Sequence, residues 1–417
     1  MPSADVVVVG AGLAGLCAAE VTLRAGLETV VLEAADAVGG RVRTDEVDGF
    51  LLDRGFQLLN PAYPAVPRVF DVPKLQLQPF LPGVVVASSD GAHLLTDPRR
   101  SPGGAFSALS PATGSLREKL AFTRYCVAVA TLPVSRLMRR PDVSYGVALD
   151  TAGVNGRLRQ AVLEPFLAGV LGEDRQMTSR RFVDLLLRSF VRGTPALPAH
   201  GIQALPEQIA SRLPTGTVFT DTLVRSVLGG TVEAEGGDWR ARAVVVATDP
   251  VSAAALTDMP PPVMRGLTTV YFHAPTSPVA DRRPRLHLDG DRRGPVLNTA
   301  VVSDAAPSYS QTGSLIAATV LGARQGTNLE REIARQLARI YRCSTRGWEV
   351  VAAYPIAEAL PAMVPPLMLR QRVHLGDGLF VAGDHRDTAS LQGALASGRC
   401  TGAAVVQDLR RDSARRH

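Results

Sequence analysis

The stretch VVVVGAGLAGLCAAE, residues 6–20, decides the fold. Four consecutive valines leave no polar face, which suits a strand covered on both sides of a parallel sheet. Gly10 permits a tight turn, Gly12 lets main chain approach a phosphate, and Gly15 lets a following helix pack against the strand. Residues 13–26 carry apolar side chains at helical spacing, and ETVVLEA, residues 28–34, reads as a second strand. Glu33 lies eighteen residues after Gly15, where a carboxylate accepts hydrogen bonds from ribose hydroxyls. The open N–H groups of the helix start favour a pyrophosphate. The unit predicts a dinucleotide site.

The rest of the composition narrows the class. With 417 residues, 46% hydrophobic and 20% charged, the chain can bury a large core. The net charge is +6, but the basic residues are scattered and aromatics are 5% of the chain, a poor match to a nucleic-acid surface. Cys17, Cys126, Cys343 and Cys400 show no metal or disulfide spacing, so no metal is expected and a reducing, cytoplasmic setting is. No run of eighteen uninterrupted apolar residues is present. The apolar segment LAFTRYCVAVATLPVSRLM, residues 120–138, reads first as a core helix; the alternative is peripheral docking on a membrane.

Two further stretches extend the first unit. AADAVGGRVRT, residues 34–44, sets Gly39, Gly40 and Arg41 six to eight positions beyond Glu33, and a guanidinium there neutralises phosphate through a fork of donors. FVAGDHRDTASLQGALASGRCTGAAVV, residues 380–406, is a strand, a turn bearing Asp384, and a helix rich in small residues. Together these pieces resemble the flavin-containing amine oxidase and phytoene desaturase superfamily. The resemblance implies an α/β fold: a Rossmann-type FAD-binding domain assembled from three chain segments, plus a mixed α+β substrate-binding domain. The segments are 1–75, 197–259 and 373–417 for the cofactor domain, and 76–196 with 260–372 for the substrate domain.

The resemblance also assigns residues. Gly10, Gly12, Ala14, Gly15, Glu33, Ala34, Gly39, Gly40 and Arg41 are expected on the adenosine and pyrophosphate. Val224, in TLVRSV, is expected against adenine. Gly383 and Asp384 are expected at the ribityl chain. Leu391, Gln392 and Ala394 open a helix aimed at the flavin ring, where its dipole favours the reduced form. LLDRGFQLLNPAYP, residues 51–64, is expected to bring Arg54, Gly55, Phe56 and Gln57 beside the flavin.

Chemistry is less visible than binding. No nucleophile elbow and no metal-ligand histidine spacing occurs. A second glycine motif for a nicotinamide is absent too, so electrons are expected to leave to oxygen or a quinone. Many amine oxidases of the superfamily place a lysine near flavin N5 late in the chain, yet no lysine follows Lys119 here. The expected activity is therefore desaturase-like dehydrogenation of an apolar small molecule by hydride transfer to flavin N5, with FAD held non-covalently. Amine oxidation with release of peroxide, and a non-redox isomerisation, are the alternatives. Gln57 and His385 are the candidate catalytic residues. Asn60, Tyr63, Asn298, Ser308 and Tyr309 are further candidates for the substrate cavity.

Overall fold

A computed structural model of the chain describes residues 1–96, 100 and 110–416. The opening unit is strand Ser3–Val9, a glycine turn, helix Leu13–Arg24 and strand Thr29–Leu32. Val6, Val7 and Val8 are completely buried, as a valine run in a covered parallel sheet requires. Val6–Val9 lie in parallel register with Thr29–Leu32 on one side and with Ala243–Val246 on the other.

This sheet has eight strands, gathered from all three chain segments. Trp239–Val246 continues it towards Leu379–Val381, also in parallel. Val218–Phe219 closes the far side against Thr29–Leu32. An antiparallel hairpin, Val224–Leu228 with Thr231–Ala234, turns at Gly229 and Gly230. Both turn residues have positive φ, +56° and +79°, as a two-residue hairpin needs.

Helix Leu391–Arg416 lies on helix Leu13–Arg24. A β-carbon added at Gly398 would sit 2.1 Å from Ala14 O, and one at Gly402 would sit 2.8 Å from Ala18 O. The small residues in SLQGALASG thus serve a helix–helix contact, in addition to any packing on a ring.

A second sheet of seven strands is built from chain between the cofactor segments. Its order is Glu349–Pro361, Met264–Ala274, Ser314–Leu321, Val296–Val301, Leu286–Asp289, Val84–Ser88 and Gly91–Leu95. Side chains alternate across it. Val270, Phe272, Ile316, Ala318 and Val320 pack with Leu329, Ile333 and Leu337 of helix Thr327–Tyr341. Leu267, Thr269 and Thr319 point to the opposite face, into a cavity. Helices Leu116–Thr131, Tyr145–Ala152, Glu164–Leu171 and Arg180–Arg192 lie beyond that cavity.

The 120–138 segment is not one helix. Helix Leu116–Thr131 stops before Pro133, and a short helix, Val134–Met138, follows. Arg188 caps the break by donating to Val129 O (2.6 Å) and Leu132 O (2.8 Å). The segment buries Tyr125, Val129 and Leu137 but leaves Leu120, Val127 and Val134 exposed, so it is only partly core. Among the described residues no helix is long and apolar enough to cross a membrane.

The contact at Gly398 gives the first prediction. Gly398→Ala forces a methyl into the Ala14 carbonyl, and overpacking of this kind costs about 1–3 kcal/mol. The midpoint of urea unfolding should fall accordingly. An unchanged midpoint would mean that the two helices separate at no cost.

Candidate active site

The glycine turn has the geometry its spacing demands. Gly10 has φ +100°, and a β-carbon there would lie 2.9 Å from Ala247 O. Gly15 is more constrained, since its β-carbon would lie 2.0 Å from Gly10 O. Gly12 differs: the nearest atom to an added β-carbon is Gly39 O, at 4.0 Å. Gly12 is also the N-cap of helix Leu13–Arg24, with no side-chain cap and no acidic residue in the first turn. No side chain of the helix's own first turn therefore caps or neutralises its positive end.

Glu33 and Arg41 stand on either side of that helix end. The Glu33 carboxylate accepts from Ala11 N (2.6 Å) and Ala35 N (2.9 Å), which fixes its direction. Gly39 N donates to Ala11 O (2.9 Å), stitching the second glycine loop to the first. Gly39 and Gly40 take φ +125° and +58°, so this loop also needs glycine. Arg41 donates to Asp384 Oδ1 (2.7 Å) and Ala359 O (2.8 Å). Burial alone would pull its guanidinium down, but Asp384, with Asp249 and Glu358, outweighs burial and holds it above its ordinary value. Arg41 is thus a permanent cation whose partner arrives from the far end of the chain.

The C-terminal strand and helix complete this part of the wall. Gly383 N donates to Ser397 Oγ (3.1 Å), and Gly393 N to Ser390 Oγ (3.1 Å). Gly393 must be glycine, because its β-carbon would lie 1.9 Å from Thr388 O. Opposite, the Gln57 amide donates to Arg41 O (2.8 Å) and Arg54 O (3.1 Å). Phe56 N donates to Thr269 Oγ1 (3.1 Å), tying this loop to the second sheet.

These groups share one cavity of about 1470 Å³. A usual small-molecule site holds roughly 300–1,000 Å³. The space is large enough for a dinucleotide and a second molecule. Gly10, Gly12, Ala14, Glu33, Ala34, Gly39, Gly40, Arg41, Gly55, Phe56, Gln57, Val224, Gly383, Asp384, Leu391 and Ala394 all lie on its wall, as does Arg54.

Other expected residues are set back. Gly15 sits behind the turn, against Gly10 and Ala247. Gln392 turns away, its Oε1 accepting from Ala65 N (2.8 Å). His385 is buried behind Gly383, and neither ring nitrogen has a hydrogen-bond partner. Burial pushes its pKa down to about 4, so the ring is neutral. Asn60, Tyr63 and Asn298 reach the wall. Asn60 is already committed, donating to Ser189 O (2.9 Å) and accepting from Ala62 N (3.0 Å). Ser308 and Tyr309 lie off the wall, with their hydroxyls on Ala199 O (2.5 Å) and Asp53 Oδ2 (2.9 Å).

The sequence reading missed the other half of the cavity. Leu116, Leu120 and Phe122 come from the first covering helix, Phe166 from the next, and Phe182, Leu186 and Phe190 from Arg180–Arg192. Ile356 and Leu360 come from the last strand of the second sheet. One signal was available: Phe182, Leu186 and Phe190 repeat every four residues, an apolar stripe on a helix that also carries Arg180, Arg181, Arg188 and Arg192. Among the described residues, the carboxylates on the wall are Glu33, Asp249 and Asp384, all beside the glycine turns, and no histidine lies on it.

An uncapped helix N-terminus, a fixed ribose-type carboxylate and a permanent guanidinium on one wall suit a dinucleotide, and a second helix start with Asp384 extends the fit beyond its pyrophosphate. With an apolar chamber joined to them, fold and site define an FAD-dependent oxidoreductase. The family model for flavin containing amine oxidoreductase matches residues 13–406, and the chain belongs to that family. An oxidoreductase from Methanosarcina mazei has the same fold, with TM-score 0.75 and 18% identity over 95% of this chain and 99% of that one. Putrescine oxidase of Kocuria rosea is 54% identical over 57 residues, 14% of this chain and 12% of its own length. The 15-cis-phytoene desaturase of Narcissus pseudonarcissus is 40% identical over 67 residues, 16% of this chain and 12% of its own. These two matches thus cover only a small share of either relative's length.

The buried His385 gives a pH prediction. Unfolded, the imidazole protonates near pH 6.5; folded, it stays neutral down to about 4. Between these values the unfolded chain binds the extra proton, so stability is complete above about pH 6.5 and drains as pH falls towards 4. Asp53 has the opposite sign, since burial raises its carboxyl to about 6 against hydrogen bonds from Ile202, Thr44 and Tyr309. His385→Leu removes only the first effect. Relative to wild type it should gain about 1–2 kcal/mol more at pH 5 than at pH 8 in urea unfolding. An equal difference at both pH values would show that His385 protonates normally in the folded protein.

Proposed function

We propose that the enzyme dehydrogenates an apolar organic molecule held in the helical half of the cavity, with FAD bound non-covalently in the other half. The observation that carries this reading is the lining of the helical half: mostly Leu, Phe and Val side chains, with the cations Arg100 and Lys119 among them and no carboxylate among the described residues. An ammonium group buried there would lack a counter-charge, which is costly. For that reason carbon, rather than a charged amine, is the favoured site of oxidation.

When bound, FAD supplies the two-electron acceptor. The chain's own groups divide the remaining work. Gly12 and Ala14 present main chain to the pyrophosphate, Glu33 takes the ribose, Arg41 balances phosphate charge and Asp384 takes the ribityl hydroxyls. Val224 flanks the adenine. Gln57, fixed by two carbonyls, turns its remaining polar edge towards the reacting region. The apolar half excludes water and holds the substrate in one orientation, which lowers the barrier through proximity rather than a protein base. Oxygen or a quinone would be the final electron acceptor.

The test is anaerobic. Acid or heat should release a yellow chromophore from purified protein, and a substrate of the apolar class should bleach the bound flavin. Gln57→Leu should slow that bleaching by about one to two orders of magnitude with FAD content intact. Bleaching by primary amines alone would replace this reading with amine oxidation, and bleaching by no compound under conditions of full FAD loading would favour an isomerase.

Substrates of this kind dissolve in lipid. Leu116, Leu120 and Val127 line the cavity yet are 54%, 65% and 45% exposed on one face of helix Leu116–Thr131, with Arg117 and Arg124 exposed beside them. We infer that this face meets anionic membrane and passes substrate inward. Liposomes containing phosphatidylserine should carry the protein in flotation at low salt and release it at high salt. Leu120→Asp should abolish flotation, and flotation that ignores both salt and this substitution would refute the contact.

A further inference from the structure

Asn298 and Thr319 lie on the cavity wall, and their Oδ1 and Oγ1 atoms are buried with no hydrogen-bond partner. Each residue is only 4% exposed. Strand register sets Asn298 opposite Thr319, and Thr319 opposite Thr269. All three lie on the wall, so a polar row crosses an otherwise apolar floor. The row begins at the loop of Gly55, Phe56 and Gln57, because Thr269 Oγ1 holds Phe56 N. It ends two strand spacings away, about 10 Å at roughly 4.8 Å each.

Asn298 is held in place. Its carboxamide packs so closely on helix Glu164–Leu171 that a β-carbon at Gly169 would lie 1.9 Å from Nδ2. Leaving a buried polar atom unpaired is costly, and an apolar side chain of similar shape would avoid that cost. A wholly apolar molecule filling this space would leave both atoms without a partner. A hydroxyl at the same point donates to Asn298 Oδ1 and accepts from Thr319 Oγ–H. Among the described residues of the sheet floor none is charged, so a charged group would find no counter-charge there.

Resting on the dehydrogenase reading above, we propose that the substrate is an apolar molecule bearing a neutral hydroxyl, and that Asn298 and Thr319 bind this hydroxyl about 10 Å along the sheet from the Phe56 loop. The pair determines specificity and takes no part in electron transfer. It fixes which carbon of the skeleton reaches the reacting region.

The test uses FAD-loaded protein and three probes of one skeleton: cyclooctane, cyclooctanol and cyclooctylamine, with binding measured by calorimetry. Wild type should bind cyclooctanol at least as tightly as the more hydrophobic cyclooctane. Asn298→Leu and Thr319→Val should each weaken cyclooctanol about tenfold, the scale of one lost hydrogen bond, and leave cyclooctane unchanged or tighter. Both variants should keep or raise the melting temperature, since each removes an unpaired buried polar atom. Cyclooctanol binding that survives both substitutions would overturn the hydroxyl site while leaving the apolar reading intact. A lowered melting temperature in both variants would also overturn it, by showing a structural role. Tightest binding of cyclooctylamine, or of none of the three with FAD in place, would overturn the parent reading as well.

Discussion

The site depends on the close approach of helix Leu391–Arg416 to helix Leu13–Arg24. Where the two cross, Gly398 leaves no room for a β-carbon beside the Ala14 carbonyl. Each helix begins on the cavity wall, so their contact places two positive helix ends on one elongated space. A larger residue at the crossing would separate the ends and change the distance the cofactor must span. The same contact delivers Asp384 to Arg41 across 343 positions of sequence. Chain ends that are remote in sequence become opposite banks of one cleft.

Arg41 and Asp384 show how the wall stays charged without a cofactor to balance it. A half-buried guanidinium and a buried carboxylate would each be unfavourable alone, and their 2.7 Å contact makes both tolerable. Glu33 solves the same problem differently, by accepting two main-chain N–H groups. The cofactor half is therefore preorganised: its charges are placed and compensated by the fold itself.

Much of this half was legible in the sequence because its determinants are local. Gly10, Gly12 and Gly15 act through backbone conformation and close approach, and few residue types can replace them. Arg41 and Glu33 lie at fixed distances from those glycines. The failures have equally local causes. Gly383 at φ +154° and the tight turn Asp384–Arg386 carry His385 behind the wall while Asp384 faces it, a direction that residue order does not reveal. Gln392 sits next to Leu391 on the helix, and roughly 100° of rotation per residue sends its amide to Ala65 instead.

The substrate half was not legible, and the reason is physical. Its wall draws side chains from helices Leu116–Thr131, Glu164–Leu171 and Arg180–Arg192 and from several strands, and apolar residues of the same kind fill the cores of the molecule. Nothing in a Phe or Leu says whether it faces a neighbour or an open chamber. Polar residues are more informative once register is known. Asn298 and Thr319 look like ordinary strand residues in sequence, yet pairing sets them side by side on a face where their neighbours are apolar. A core under selection for stability alone would favour Leu or Val at both positions. On the proposal above, substrate choice would lie less in the glycines and charges at the dinucleotide end than in the few polar atoms that the second sheet leaves unpaired beside a largely apolar chamber.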